Sequence, residues 1–301
     1  MKLATTTSDF YEYSLSQQEK MNHVAKAGFK YLDYSFGTEF DSKTGVFSIE
    51  KDAYIEDIKR HCERLGVKYV QAHAPMGSPI IKNDEHTALV NGTKTCIEAC
   101  ARLGIPNIVV HSGYQWGISR EETFERNKEF YGELLPCAEK YGVNILTENF
   151  NVMCVDGMYW IDNATDLRAL IDYVDHPLFH ACWDAGHANM QDMPQHEELA
   201  LLGEHVLGIH VQDNLQNDDH HLAPFMGSLS IDSLMNGLIN IGYKGYFTFE
   251  ANNIFCSAWK RRKFEQDDRL LKVPLELKTQ AERMLYLIGK HILTSYDMYE
   301  E

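Results

Sequence analysis

Six short apolar runs in this chain each carry, near their end, a side chain able to bind a divalent metal. The runs are Lys68–Ala74, Asn107–Gly113, Asn144–Phe150, Phe179–Ala185, Val206–Asn214 and Tyr246–Asn252. The side chains are His73, His111, Glu148, Asp184, His210 and Glu250, separated by 38, 37, 36, 26 and 40 residues. Four of them, Glu148, Asp184, His210 and Glu250, form a set of three carboxylates and one imidazole. That set suits one Mn²⁺, Mg²⁺, Co²⁺ or Zn²⁺ ion better than a soft metal. An ionised carboxylate at the end of an apolar strand is costly unless it is paired or metal-bound. For any one residue, a polar neighbour is explanation enough. Four at a kept spacing favour a shared cation.

Further groups surround this set. His187 stands three positions after Asp184 and either contacts substrate or ligates an additional ion. His73 and His111 end the third and fourth strands, where each either meets backbone and water in a polar mouth or serves substrate or a second metal. Asp219 and His221 follow the seventh strand. The chain holds 14 histidines, so some are incidental.

These residues must be brought together by the elements between them. The spacing suits repeated strand–helix units. Leu3–Thr7 and Tyr31–Phe36 supply two more strands, for eight in all. Amphipathic segments alternate with them. Ser16-x-x-Glu19 and Ser119-x-x-Glu122 read as capping boxes opening helices that end near Ala27 and Tyr141. Asp52–Leu65 turns an apolar side at Tyr54, Ile58, Cys62 and Leu65. The last helix, 275–294, places Leu277, Ala281, Met284, Leu285, Ile288 and Ile292 on one face. Helices stop at Gly28, Gly66, Gly104 and Gly142, and a strand begins a few residues later. The expected fold is α/β, a (β/α)8 barrel forming one domain over residues 1–301. In such a barrel all six side chains meet at the carboxyl-terminal rim. The longer segments, 37–50, 75–84, 215–230 and 253–274, follow strands, which is where barrels carry function. The segment 253–274 reads as a lid or a subunit contact, with ordinary surface packing as the default.

Bulk properties narrow the function. The formal charge is −16, from 28 basic and 44 acidic side chains. Such a surface repels polyanions, so no nucleic-acid partner is expected. Lys260–Lys263 is the one basic cluster, and it reads as a solvated turn. No apolar run reaches the roughly 18 residues a membrane span needs, so no membrane partner is expected. The opening residues lack an apolar core of the secretory kind. Seven cysteines without a CxxC pair suggest reduced thiols and a cytoplasmic setting. Cys182 precedes Asp184 by two residues and faces the same way, in a packing role.

At its motifs the chain resembles a known superfamily. These are T-E-N at Thr147–Asn149, W-D-A-G-H at Trp183–His187, H-V-Q-D-N at His210–Asn214, D-x-H at Asp219–His221 and F-E-A at Phe249–Ala251. They look like the xylose isomerase-like barrels, which include sugar phosphate isomerases and epimerases, ketose 3-epimerases, inosose-processing enzymes and endonuclease IV-type enzymes. The ketose-epimerase pattern implies that Glu148, Asp184, His210 and Glu250 ligate one divalent ion, that His187 binds substrate, and that Glu148 and Glu250 act as acid and base on opposite faces of it. One departure stands out: Asp213–His221 contains no arginine, where many such epimerases carry one against the sugar. The endonuclease pattern implies a three-zinc cluster on His73, His111, Glu148, Asp184, His187, His210, Asp219, His221 and Glu250, and all nine residue types are present.

The leading expectation is therefore a metal-dependent isomerase or epimerase of a sugar, sugar phosphate or related polyhydroxy carbonyl compound. It moves a proton through a metal-stabilised enediolate, with Glu148 and Glu250 as acid and base. Trp116, Trp160 and Trp183 are candidate apolar walls, though ordinary packing suits each. Two alternatives stand beside it: a multinuclear zinc phosphodiesterase of the endonuclease IV type, and a barrel that binds sugar or metal without turnover. A homo-oligomer is expected by analogy alone.

Overall fold

The structure, a computed structural model, describes residues 1–151, 160–191 and 193–301, apart from the side chain of Trp259. Cys154 lies outside the described residues. Eight strands, β1 Lys2–Thr6, β2 Tyr31–Ser35, β3 Lys68–His73, β4 Asn107–Val109, β5 Asn144–Glu148, β6 Phe179–Asp184, β7 Val206–His210 and β8 Tyr246–Phe249, lie side by side. They run in the order β7-β6-β5-β4-β3-β2-β1-β8, and each named pair is parallel. The seam between β7 and β8 is closed just beyond their ends. Val211 N–H donates to Thr248 O at 2.8 Å, and Glu250 N–H donates to Val211 O at 3.1 Å. The two closing bonds thus sit between His210 and Glu250. The fold is the expected (β/α)8 barrel.

The helices arise where the sequence places caps and apolar stripes. Ser16 caps Gln17–Ala27 with a reciprocal box to Glu19. The second box is only half formed. Ser119 accepts from Glu122 N–H, but the Glu122 carboxylate turns outward to Arg126. Gly66 ends Lys51–Leu65 at φ 66°, a left-handed conformation costly for residues with a Cβ. Val67 N–H then reaches back to Cys62 O at 3.1 Å, and β3 begins at once.

Between the sheet and the helices lies one large apolar core. Phe29, fully enclosed, meets Phe249 at 6.2 Å and Tyr286 at 5.3 Å between ring centroids. Burial of one such ring is worth about 2–3 kcal/mol. On the last helix, Leu275–Ser295, the inward face differs from the one its apolar residues suggest. Leu277 is half exposed, whereas Lys278 and Glu282 are buried. Their charges pair at 3.1 Å, Lys278 Nζ also donates to Asn252 O at 3.2 Å, and Asp9 lies close by. A pattern based on hydropathy passes over such an internally paired couple. Gly289 brings the same helix onto the barrel, since a Cβ there would stand 2.7 Å from both Leu3 and Phe249.

Two segments expected as plain loops are partly regular. Gly37–Ser42 is a short helix, and Gly45–Phe47 a single 3-10 turn. The segment 253–274 contains the short helices Ala258–Arg261 and Asp268–Leu270. Its basic cluster is neutralised locally, with Arg261 on Glu265, Arg262 on Asp268 and Lys260 on Asp218. Among the described residues, no helix is long and apolar enough to cross a membrane, and the cysteines form no disulfide.

Candidate functional site

Parallel strands deliver their last residues to one rim. His73, Glu148, Asp184 and His210 are the final residues of β3, β5, β6 and β7. Glu250 is one residue past β8. β4 stops at Val109, so His111 reaches the same rim from two residues beyond its strand. One ligand atom from each of Glu148, Asp184, His210 and Glu250 lies within 4.8 Å of the others. Two adjoining groups meet the same limit, His73 with His111 and Glu148, and His187 with Asp219 and His221, as does the buried thiol of Cys182 with Glu148 and His210. All nine residues singled out in the sequence therefore come together.

Glu148 is the hub. Its Oε1 lies 2.7 Å from His210 Nδ1, and its Oε2 lies 2.9 Å from His111 Nε2. Burial alone would raise its pKa. His210, His111 and His73 outweigh that and hold the carboxyl well below the usual range. Asp184 is wholly buried on β6. Its Oδ1 accepts from His187 N–H at 2.7 Å and from Gln212 Nε2 at 3.5 Å. Burial, with help from Glu148 and Glu250 and against His187, pushes Asp184 up to about 6.

The histidines fall into two orientations. His73, His187 and His221 each turn Nδ1 to a backbone carbonyl, of Ala74 at 3.0 Å, Asn149 at 2.9 Å and Glu250 at 2.8 Å. A carbonyl can only accept, so Nδ1 carries the hydrogen and Nε2 faces the cavity. For His187 and His221 that Nε2 meets Asp219 Oδ2, at 3.3 Å and 3.2 Å. Burial opposes charge on His221, but Asp219 overcomes it and raises the ring to about 10. His210 is reversed. Its Nδ1 faces the carboxylates, and its Nε2 points down the barrel to Gln71 and Asp33.

The donor set fits a divalent cation. Asp184 Oδ2 is buried and has no hydrogen-bond partner among the described residues. An orphaned buried carboxylate oxygen is expensive. Here it belongs to a set of three carboxylates and one imidazole with ligand atoms gathered around a common point. Oxygen donors with one imidazole match the preference of Mg²⁺, Mn²⁺, Co²⁺ or Zn²⁺.

Above the cluster opens a cavity of about 410 Å³. All of the nine residues except Asp184 and His210 line it, and Ser8, Tyr11, Thr38 and Asn252 stand among its other walls. Its aromatic walls are Phe150 and Tyr11, not one of the three tryptophans considered from the sequence. Trp160 stacks behind Phe150 at 4.2 Å, Trp183 is wholly buried and Trp116 is exposed. A wider groove of about 780 Å³ runs between Gln195–Leu202 and Ile231–Asn240. It is lined largely by amides and hydroxyls and contains none of the clustered ligands, so its greater size does not make it the reactive site.

Sequence reasoning passed over Asp33, Gln71, Asn149 and Gln212. Asn149 and Gln212 sit inside the quoted motifs. Asn149 pairs twice with the Asp184 backbone, at 2.8 Å and 3.0 Å, tying β5 to β6 at the site. Asp33 and Gln71 lie in the interior of β2 and β3, and only a polar residue in a strand otherwise buried would have marked them.

Comparison with known proteins agrees with the fold. An uncharacterized protein of Methanocaldococcus jannaschii, MJ1311, is 29% identical over 201 residues, 64% of this chain and 67% of that one. The fructoselysine 3-epimerase of Escherichia coli O157:H7 is 27% identical over 158 residues, 49% of this chain and 52% of the epimerase. The structure of D-psicose 3-epimerase with D-tagatose from Clostridium cellulolyticum H10 superposes with a TM-score of 0.74 at 15% identity, covering 97% of this chain and 99% of that one. A family model matches residues 21–267, and the chain belongs to the xylose isomerase-like TIM barrel family.

Proposed function

We propose that this protein is a divalent-metal-dependent isomerase or epimerase of a sugar, sugar phosphate or related polyhydroxy carbonyl compound. The observation that carries the reading is the gathering of Glu148, Asp184, His210 and Glu250 within 4.8 Å beneath an open cavity that Glu148 and Glu250 line. Sugar 3-epimerases among the relatives and structural neighbours support the substrate class.

Those four residues would hold the ion. When bound, it supplies Lewis acidity to a carbonyl and an adjacent hydroxyl, which acidifies the C–H between them. Glu148 is kept ionised by its histidines, the form a base requires, and contacts at both oxygens fix its position. Glu250 enters from the far side of the barrel seam, and its carboxyl lies 3.6 Å from His210 Nδ1. The pair thus offers one group to take a proton and another to return it. Phe150 gives a flat apolar wall for the C–H face of a sugar. Asp219, held between His187 and His221, offers an acceptor for hydroxyls.

A second reading rests on the two adjoining groups, His73 with His111 and Glu148, and His187 with Asp219 and His221. They would suit a multinuclear zinc phosphodiesterase. The formal net charge of −16 weighs against a duplex substrate. Solvent-deuterium wash-in across ketoses, inososes and keto acids separates the readings. Exchange with at least one compound, dependent on added Mn²⁺, Mg²⁺ or Co²⁺, is expected. No exchange with any, alongside nicking of abasic DNA and about three zincs per chain, would establish the second. Binding of sugar without exchange would leave a non-catalytic barrel.

A further inference from the structure

Beneath the rim, a buried carboxylate faces the back of His210. Asp33 on β2 is 1% exposed. Its Oδ2 accepts from Gln71 Nε2 at 2.7 Å and lies 3.3 Å from His210 Nε2. Its Oδ1 is buried with no hydrogen-bond partner among the described residues. A buried carboxylate with one bare oxygen destabilises a fold. The chain also makes room for it. An irregularity between Leu32 and Asp33 shifts the register of β2 on β3 and aligns Asp33 with Gln71. Across the barrel, Gly208 leaves space for the Gln71 amide, since a Cβ there would stand 2.5 Å from Gln71 Oε1.

The consequence lies in the His210 tautomer. To bind a cation, Nδ1 must present a lone pair, so the ring hydrogen has to sit on Nε2. Two side chains face Nε2, the Gln71 amide nitrogen at 2.9 Å and Asp33 Oδ2 at 3.3 Å. The amide nitrogen can only donate. Alone it would favour the opposite tautomer, with Nδ1–H on Glu148 at 2.7 Å. An ionised Asp33 can only accept. The other histidines with an anchored Nδ1 use backbone carbonyls for this purpose, and His210 has none.

We propose that Asp33 is a positioning residue for the metal centre: it accepts the Nε2–H of His210, fixing the tautomer whose Nδ1 can bind the cation, while Gln71 holds the carboxylate in place. This rests on the cation site proposed above. Its partners fit a carboxylate–histidine–metal relay, whose loss typically weakens metal binding by roughly 10- to 100-fold.

The test uses the full chain with Co²⁺ and Zn²⁺ as probes. Asp33→Asn keeps the shape and a neutral acceptor, and should weaken Co²⁺ binding about 10-fold. Asp33→Ala removes the acceptor and should weaken it about 100-fold. The metal-free Asp33→Asn protein should melt no earlier than the unaltered one, because a bare buried carboxylate has gone. Nitrogen-15 histidine NMR of the unaltered Zn²⁺-loaded protein gives a reading that needs no variant, with His210 hydrogen on Nε2 and zinc on Nδ1. A dissociation constant within twofold of the unaltered protein, or an Nε2-bound zinc, overturns the inference. If the unaltered protein binds no metal at the four-residue site, the cation reading itself fails, and that result is distinct from the others.

Discussion

His210 Nδ1 and Glu148 Oε1 lie 2.7 Å apart, although 62 residues separate them in the chain. The contact joins the ends of β7 and β5 across the intervening β6, and Asp184 at the end of β6 completes the arc. Burial opposes charge on His210, but the neighbouring acidic groups raise it well above its ordinary value. The metal-free ring thus carries hydrogen on both nitrogens, Nε2–H toward Asp33 and Nδ1–H on Glu148, and Nδ1 is the nitrogen a cation would need. Loading the site therefore exchanges a proton for a metal, and much of the expected behaviour follows from that exchange.

Glu148→Gln and Glu250→Gln should each bind Co²⁺ less tightly and lose proton exchange by roughly 10²- to 10⁴-fold, the range for a positioned acid or base. Isotope wash-in at saturating metal checks this. Full exchange in both variants would remove the two-carboxylate mechanism.

Metal binding should weaken as pH falls through about 6, where Asp184 takes up its proton. The sign follows from linkage. Without metal, the folded chain holds this proton more tightly than an unfolded chain with the ordinary value of 3.8. That stabilising contribution is full below 3.8 and is lost as pH rises through about 6. A cation reverses the preference. Titration calorimetry in buffers of different ionisation enthalpy should therefore show proton release near pH 6. Binding that is independent of pH and releases no protons would count against these ligands.

Lys278→Met should destabilise the fold by about 3–5 kcal/mol, because it leaves Glu282 and Asp9 without their buried cation. Equilibrium urea unfolding measures it. A change under about 1 kcal/mol would mean that water reaches these carboxylates.

Gly208→Ala should cost about 1–3 kcal/mol, since the new methyl meets Gln71 Oε1 at 2.5 Å and Leu146 Cδ1 at 2.7 Å. Thermal melts should record the loss, and metal affinity should fall with it as Gln71 and Asp33 shift. Unchanged affinity would separate this layer from the site.

The barrel and its rim were legible because each signal repeats. Apolar runs recur with a ligand residue at the end, and Gly28, Gly66, Gly104 and Gly142 mark the turns that precede strands. Parallel strands then place His73, Glu148, Asp184, His210 and Glu250 at one end. What remained hidden was single and long-range. Nothing local to Asp33 or Gln71 tells that a register shift aims them at His210, 139 residues beyond Gln71. Lys278 and Glu282 look like surface charges until Asn252 and Asp9 enclose them. Phe150 was passed over for the tryptophans because residue size alone does not say which ring faces a cavity. The one-domain extent of residues 1–301 remains our reading of the unbroken strand–helix series, and the role of 253–274 as a lid or subunit contact remains a proposal for mutational and oligomeric-state tests.

The most direct measurement is anomalous diffraction from crystals grown with Mn²⁺. The expected result is one strong peak in contact with Glu148, Asp184, His210 Nδ1 and Glu250. Fully loaded crystals with no peak among those four residues would contradict the shared cation on which the proposed chemistry depends.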